Sequence, residues 1–175
     1  HATHRILGGP QGVAETVYSH LRVAHGIRPA APVVTGYLPR ADHPGQLLQI
    51  LGIDPFAEAP FRDLAADLTG GDFDLRALLL NPNAALLPEA LGSEVTLKRG
   101  GQRLTLRHAG TLRGVAFEGL IVTDIATAQT LLGRDGRLDH IDLILPEGPA
   151  SEHLATELRA WLPPDLRLER PTERN

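Results

Sequence analysis

Between residues 120 and 145 the spacing of apolar positions changes repeatedly, and each change marks an element. Leu120, Ile121 and Val122 form a short apolar run of strand type. Asp124 follows as a helix cap, and Ile125, Ala128 and Leu132 then recur on one helical face. Gly133 ends that helix by entering the left-handed region, Asp135-Gly136 supplies a turn, and residues 140–145 return to a strand. A helix of about two turns is marginal alone in water. This one must therefore pack on the strands that flank it.

Two longer amphipathic helices stand near the ends of the chain. Val13, Val17, Leu21 and Ala24 make the apolar stripe of a helix over 14–25, and Leu154, Leu158 and Trp161 that of a helix over 151–162, with Ser151 as its N-cap. A short strand and a Gly/Pro turn precede each one: Arg5-Ile6-Leu7 before the first, Asp142-Leu143-Ile144 before the second. Extended segments follow, 31–37 and 166–170. A constant offset of 137 positions aligns Ile6 with Leu143, Glu15 with Glu152, Leu21 with Leu158 and Arg22 with Arg159, a weak match that either an internal duplication or chance between two amphipathic helices would give.

The segment they bracket is patterned differently. From about residue 45 to 109, Pro and Gly punctuate short helices expected over 55–66, 74–80 and 84–91. Two alternating runs follow, 94–98 and 103–107, with Val95, Leu97, Leu104 and Leu106 apolar around Gly100-Gly101, the pattern of a β-hairpin. The fold class expected is α/β (α+β). A discontinuous lobe of two βαβ-like units, residues 1–44 and 114–175, carries an inserted, smaller α+β lobe, 45–113, that contains the hairpin.

Composition narrows the function more than the fold. The 175 residues, 42% of them hydrophobic, suffice for one substantial core or two small ones. A net charge of −4 argues against a nucleic-acid binder, which would carry a basic stripe. With no Cys, disulfides, thiolate metal sites and Cys nucleophiles are all excluded. No run approaches the roughly 20 apolar residues of a membrane span; the Leu-rich stretch 75–91 is broken by Arg76, Asn81-Pro82-Asn83, Pro88 and Glu89. The start at His1, without a signal-peptide pattern, fits a fragment or a processed form.

Candidate chemistry is sparse. Ser19, Ser93 and Ser151 lack the G-x-S-x-G and S-x-x-K contexts of nucleophilic serines. Of the eight His, His1 and His4, and His20 and His25, lie close in sequence. Neither pair forms H-E-x-x-H, and a spacing of five takes His20 and His25 off a common helical face. Gly8-Gly9-Pro10-Gln11-Gly12 occupies the strand-to-helix position of a phosphate loop, but no Lys-Ser/Thr follows and Pro10 removes an amide. Asp139 and Asp142, three apart on a strand, point to opposite faces. Arg62 and Arg76 fit a solvated surface. No catalytic, cofactor-binding or metal-binding residue is expected, no cofactor is implied, and an enzyme is disfavoured.

One resemblance organises these pieces. Val122-Thr123-Asp124-Ile125-Ala126-Thr127-Ala128-Gln129, with Leu131-Leu132-Gly133, is similar to the "vvD-ATAQ-LLG" helix of FtsX/MacB/LolC-type ABC transporter permeases, in their extracytoplasmic, MacB-like periplasmic core domain. Ala30-Ala31-Pro32-Val33-Val34 resembles the family's "aaPvv" strand, Leu51-Gly52-Ile53-Asp54-Pro55 its "GiDp" turn, and Ala85-Leu86-Leu87-Pro88-Glu89-Ala90-Leu91-Gly92 its short helix before a β-rich segment.

The resemblance implies a porter-like lobe with an inserted lobe, standing in the periplasm between the first and second of four membrane helices per permease chain. It implies as partners a cytoplasmic ATPase subunit or domain, a second permease protomer, and a periplasmic cargo or adaptor, to which ATP-driven motion is relayed in export or lipoprotein release. Membrane helices would precede His1 and follow Asn175, so both termini would leave from one end, with the inserted segment away from it. Severed from those helices, the domain is expected to be monomeric. The alternative reading is a periplasmic small-ligand-binding module with its ligand between two lobes, for which 4% aromatic content is poor stock.

Overall fold

The computed structural model describes residues 2–23, 30–55, 69–70, 74–114 and 117–171. Along the chain run β1 (His4–Leu7), β2 (Val13–Ala14), α1 (Glu15–Val23), β3 (Ala30–Pro39), β4 (Leu47–Ile53), α2 (Leu75–Leu80) and β5 (Ala84–Pro88). A 3-10 turn at Glu89–Leu91 leads to β6 (Glu94–Arg99), β7 (Gln102–Leu112), β8 (Leu120–Asp124), α3 (Ile125–Leu132), β9 (Arg137–Leu138), β10 (His140–Leu143), α4 (Pro149–Trp161) and β11 (Arg167–Glu169). They gather into two compact units, His1–Val33 with Gly136–Asn175, and Val34–Asp135.

In the first unit the strands lie in the order β11-β1-β10-β3, every neighbouring pair antiparallel. The chain passes β1-α1-β3 and, later, β10-α4-β11, so each strand–helix–strand path skips one strand and the two paths interlock as split βαβ units. Alternation selects the core: His4 and Ile6 of β1 and Ile141 and Leu143 of β10 are buried, with Val17 and Leu21 of α1 and Ala155 and Leu158 of α4. Glu15 in the first turn of α1 and Arg22 in its last suit the helix dipole.

Helix α4 begins earlier than expected. Gly148 is its N-cap at φ +84°, Pro149 presets the first helical position, and Ser151 is a buried residue of the first turn rather than the cap. The buried stripe shifts with it to Ser151, Ala155 and Leu158. The strand expected over 140–145 ends at Leu143.

In the second unit the order is β3-β4-β8-β5-β7-β6, with β4/β8 and β5/β7 parallel and β5/β8 and β6/β7 antiparallel. The hairpin stands as expected, Glu94 opposite Arg107 through Arg99 opposite Gln102, with Gly100 at φ +60°. Asp74 caps α2 by accepting from the Ala77 amide at 2.9 Å. The helix expected over 55–66 falls almost wholly outside the described residues.

Two expectations are corrected here. Residues 84–88 form β5, not a helix: the segment pairs with β8 and β7, and all five of its residues are buried; only Glu89–Leu91 turns helically. An apolar run buried on both faces carries no period by which to tell strand from helix. Leu51-Gly52-Ile53 likewise belongs to strand β4 rather than to a turn, and Gly52 serves packing: a Cβ there would stand 2.4 Å from the Ala128 Cβ of α3. A Cβ at Gly36 of β3 would meet Leu132 of α3 at 2.8 Å. Helix α3 thus rests on two strand glycines, and β4 pairs with β8 from Gln49 to Ile53.

Candidate functional surfaces

The glycine turn between β1 and β2 has the wrong polarity for phosphate. The Gly12 amide donates to Gly9 O at 2.9 Å, and the Arg137 guanidinium donates to Gln11 O at 2.8 Å, so a cation already engages its carbonyl oxygens. Its glycines answer to space: a Cβ on Gly8 would meet Gly12 O at 2.1 Å, and one on Gly12, at φ +69°, would meet Leu138 O at 2.2 Å.

Asp142 joins Arg5 and His140 on the face of β1 and β10 opposite the buried Ile6 and Ile141. Arg5 Nε donates to its carboxylate at 2.8 Å, and His140 Nε2 lies 3.6 Å away. Burial pushes the Asp142 carboxyl upward, but the hydrogen bonds and charges of His140 and Arg5 outweigh it, leaving the group below its ordinary value. This is a cross-strand ion cluster. Asp139 lies outside it, between β9 and β10.

Histidine positions disperse. His1 and His25 fall outside the described residues, His20 meets Trp161 edge-on at 6.4 Å, and His4 is buried with Nδ1 2.9 Å from the Thr3 hydroxyl. Burial, then Arg170 and Arg159, hold the His4 pKa below its ordinary value against the opposing pull of Glu152. Among the described residues no group of three His, Cys, Asp or Glu side chains is placed to hold a metal. Ser19 and Ser93 are exposed, and so is Arg76. Arg62 lies outside the described residues.

The segment that carries the resemblance meets the hairpin and β3 through hydrogen bonds. Asp124 accepts from the Thr127 amide at 2.9 Å, and Gly133 ends α3 at φ 66°, ψ 37°. Arg99, at the tip of the hairpin, donates from Nε to Leu131 O at 2.9 Å and covers the last turn of the helix. A Cβ on Gly133 would meet that guanidinium at 2.7 Å. The next residue, Arg134, donates to Thr35 O of β3 at 2.8 Å. No local signal in the sequence announces Arg99 as a helix-terminal donor, because its acceptor lies 32 positions away.

Open cavities lie in both units among the described residues. One, of about 350 Å³, lies in the first unit at the start of α4, between His4 and Arg170. Another, of about 470 Å³, lies in the second unit beside Arg40, Glu94 and Arg103. Among the described residues no helix is long and apolar enough to cross a membrane.

No protein-family model matches the chain. Its sequence is 34% identical, over 96% of its length, to an uncharacterised ABC transporter permease protein of Mycobacterium tuberculosis, of which it spans 21%. Its fold is similar to that of the periplasmic region of MacB from Actinobacillus actinomycetemcomitans, with a TM-score of 0.57 at 12% identity over 95% of this chain and 87% of that one. It is equally similar to the extracellular domain of the noncanonic ABC-type transporter YknZ from Gram-positive bacteria, with a TM-score of 0.57 at 11% identity over 95% and 98% of the two chains. The resemblance read from residues 120–145 is borne out: the chain has the fold of a MacB-like periplasmic core domain and is similar in sequence, over nearly its whole length, to a segment of an ABC transporter permease.

Proposed function

We propose that this chain is the extracytoplasmic domain of an ABC transporter permease subunit, held at the cell inner membrane by helices beyond this segment. It relays the motion that ATP hydrolysis drives in those helices to a cargo or adaptor on the far side. A cytoplasmic ATPase and a second permease protomer complete the transporter, and the domain performs no chemistry of its own. The observation that carries this reading is the 34% identity to a permease across 96% of the chain. Arg99 on the end of α3, with Gly36 and Gly52 beneath that helix, supports it by tying hairpin, helix and strands into a body suited to transmit force.

A relay must differ in contact energy between two states of the transporter. The test is therefore hydrogen exchange on the whole permease, reconstituted with its ATPase, with and without a non-hydrolysed ATP analogue. Nucleotide-dependent protection changes within residues 34–135 are expected; an identical pattern in both states would sink the relay. The domain alone should show no thermal shift with ATP, since its glycine turn has neither the Lys nor the hydroxyl that phosphate and Mg²⁺ need. Light scattering should find it monomeric at micromolar concentration, and a dimer burying more than about 1,600 Å² would move permease pairing onto this domain.

A further inference from the structure

The β6-β7 hairpin is basic in an otherwise acidic chain. From Glu94 to Arg107 a single carboxylate accompanies Lys98, Arg99, Arg103 and Arg107, whereas the whole chain carries a net charge of −4. Arg99 is taken up by the end of α3. Val95, Leu97 and Leu106 are buried, which leaves Lys98, Arg103 and Arg107 exposed on the outward face, and Lys98 stands directly opposite Arg103. Like charges opposed across two strands cost stability. Folding gives no reason to place them there, but a bound carboxylate would turn their repulsion into attraction.

Apolar surface adjoins these cations. A bridge between Arg40 and Leu97, with the Ala41 amide donating to Thr96 O at 2.9 Å, brings the end of β3 alongside β6. The Arg40 amide donates to Gln46 O at 2.9 Å and holds the start of β4 at the same seam. Tyr37 and Leu47, 64% and 60% exposed, lie near it on the side away from the buried Leu38 and Leu48. The cavity of about 470 Å³ opens here, bordered by Thr96, Thr105 and Arg103. The two Thr hydroxyls lie 2.8 Å apart, so one hydrogen is shared between them and the other can serve an outside acceptor.

We propose that this seam docks an acidic segment of a partner protein, with carboxylates on Lys98 and Arg103 and an apolar side chain against Tyr37 and Leu47. Exposed Tyr and Arg side by side are the residue types that anchor protein interfaces. An anionic lipid surface fits worse, because the seam is concave and Asp42 and Glu94 at the cavity edge would repel it. The proposal rests on the relay reading and names the surface through which motion reaches the cargo or adaptor.

The test is photo-crosslinking of the whole permease with its ATPase in its own cells, with p-benzoylphenylalanine in place of Tyr37 and, as a control, in place of the exposed Arg76. The Tyr37 position should form an adduct with another protein, and mass spectrometry should place it in a peptide with more Asp and Glu than Lys and Arg. Its yield should fall about tenfold or more in Lys98→Glu with Arg103→Glu, as for a lost charge-assisted contact, and persist in Lys98→Arg. Both variants change exposed side chains, and an unchanged melting curve confirms that the fold survives. Adducts only with lipid or with a second permease copy, a neutral or basic contact peptide, a yield indifferent to charge reversal, or no excess over the Arg76 position overturns the docking surface. Nucleotide-dependent exchange that persists while the adduct fails would remove this surface and leave the relay standing.

Discussion

In the first unit, strands with one buried face meet two helices of 9 and 13 residues, and burial alternates along β1 and β10. In the second unit the middle of the sheet is β5, with every residue buried, and the single helix following β8 has 8 residues and ends beneath a hairpin tip. The first unit is thus built from amphipathic pieces that each declare their own core side. The second depends on pieces that take their form from neighbours: β5 from β7 and β8, α3 from Gly36, Gly52 and Arg99. Mutations should therefore act locally and predictably in the first unit, and spread through packing in the second.

The largest expected effect is Leu86→Ala, which removes a fully buried side chain from β5 and should cost about 2–5 kcal/mol in urea denaturation. Amide protection should fall mainly within residues 34–135. An equal loss in both units would break the comparison by making them one cooperative block.

Next is Gly52→Val. Its Cβ would stand 2.4 Å from the Ala128 Cβ, so overpacking should cost about 1–3 kcal/mol. Ala128→Gly in the same chain should restore part of the loss. Absence of rescue would mean that α3 does not bear on Gly52 as described.

Two cap variants sharpen the contrast further. Asp124→Ala removes a cap bond and should cost about 1 kcal/mol, seen as a lowered melting temperature. Ser151→Ala removes no side-chain cap bond and should change stability by less than about 0.5 kcal/mol. A loss in Ser151→Ala as large as that in Asp124→Ala would return Ser151 to the cap role that its sequence position suggests.

The smallest effects lie in the pH dependence of the first unit, where two groups titrate below their ordinary values. The stability that Asp142 contributes is fully present above the unfolded carboxyl value of about 3.9 and is lost as pH falls through its lower folded value. His4 is held neutral, so its contribution is present above about 6.5 and declines as pH falls from there to its folded value. Denaturation midpoints measured from pH 7 to pH 3 should show both steps, and Asp142→Asn should flatten only the more acidic one. A single step unaffected by that variant would remove the ion cluster from the account.

Legibility in the sequence followed the same division. Arg5-Ile6-Leu7, the Val17–Leu21 stripe and the hairpin around Gly100 were readable because alternation or helical period shows wherever one side meets water. Asp124 and Gly133 were readable because capping is decided within four residues. Strand β5 was not, since a run with no exposed side carries no period, and the Ala and Leu that fill it also favour helices. Nor was the role of Gly52, which a short-range reading makes a turn glycine. The cavity at the start of α4 was not legible either: its walls come from His4, Ser151 and Arg170, which share no motif and meet only when β1, α4 and the residue after β11 are in place.

By itself, then, the sequence determined the strand–helix–strand order at both ends, the hairpin, the caps of α3 and the likeness to permease domains, all set by interactions among neighbours in the chain. The tertiary structure decided which apolar run became the buried strand, which glycines were packing sites, where the two units divide, and that Arg99 closes a helix 32 residues away. Those outcomes depend on close packing and on hydrogen-bond acceptors presented by distant backbone, and neither exists until the strands have been brought together.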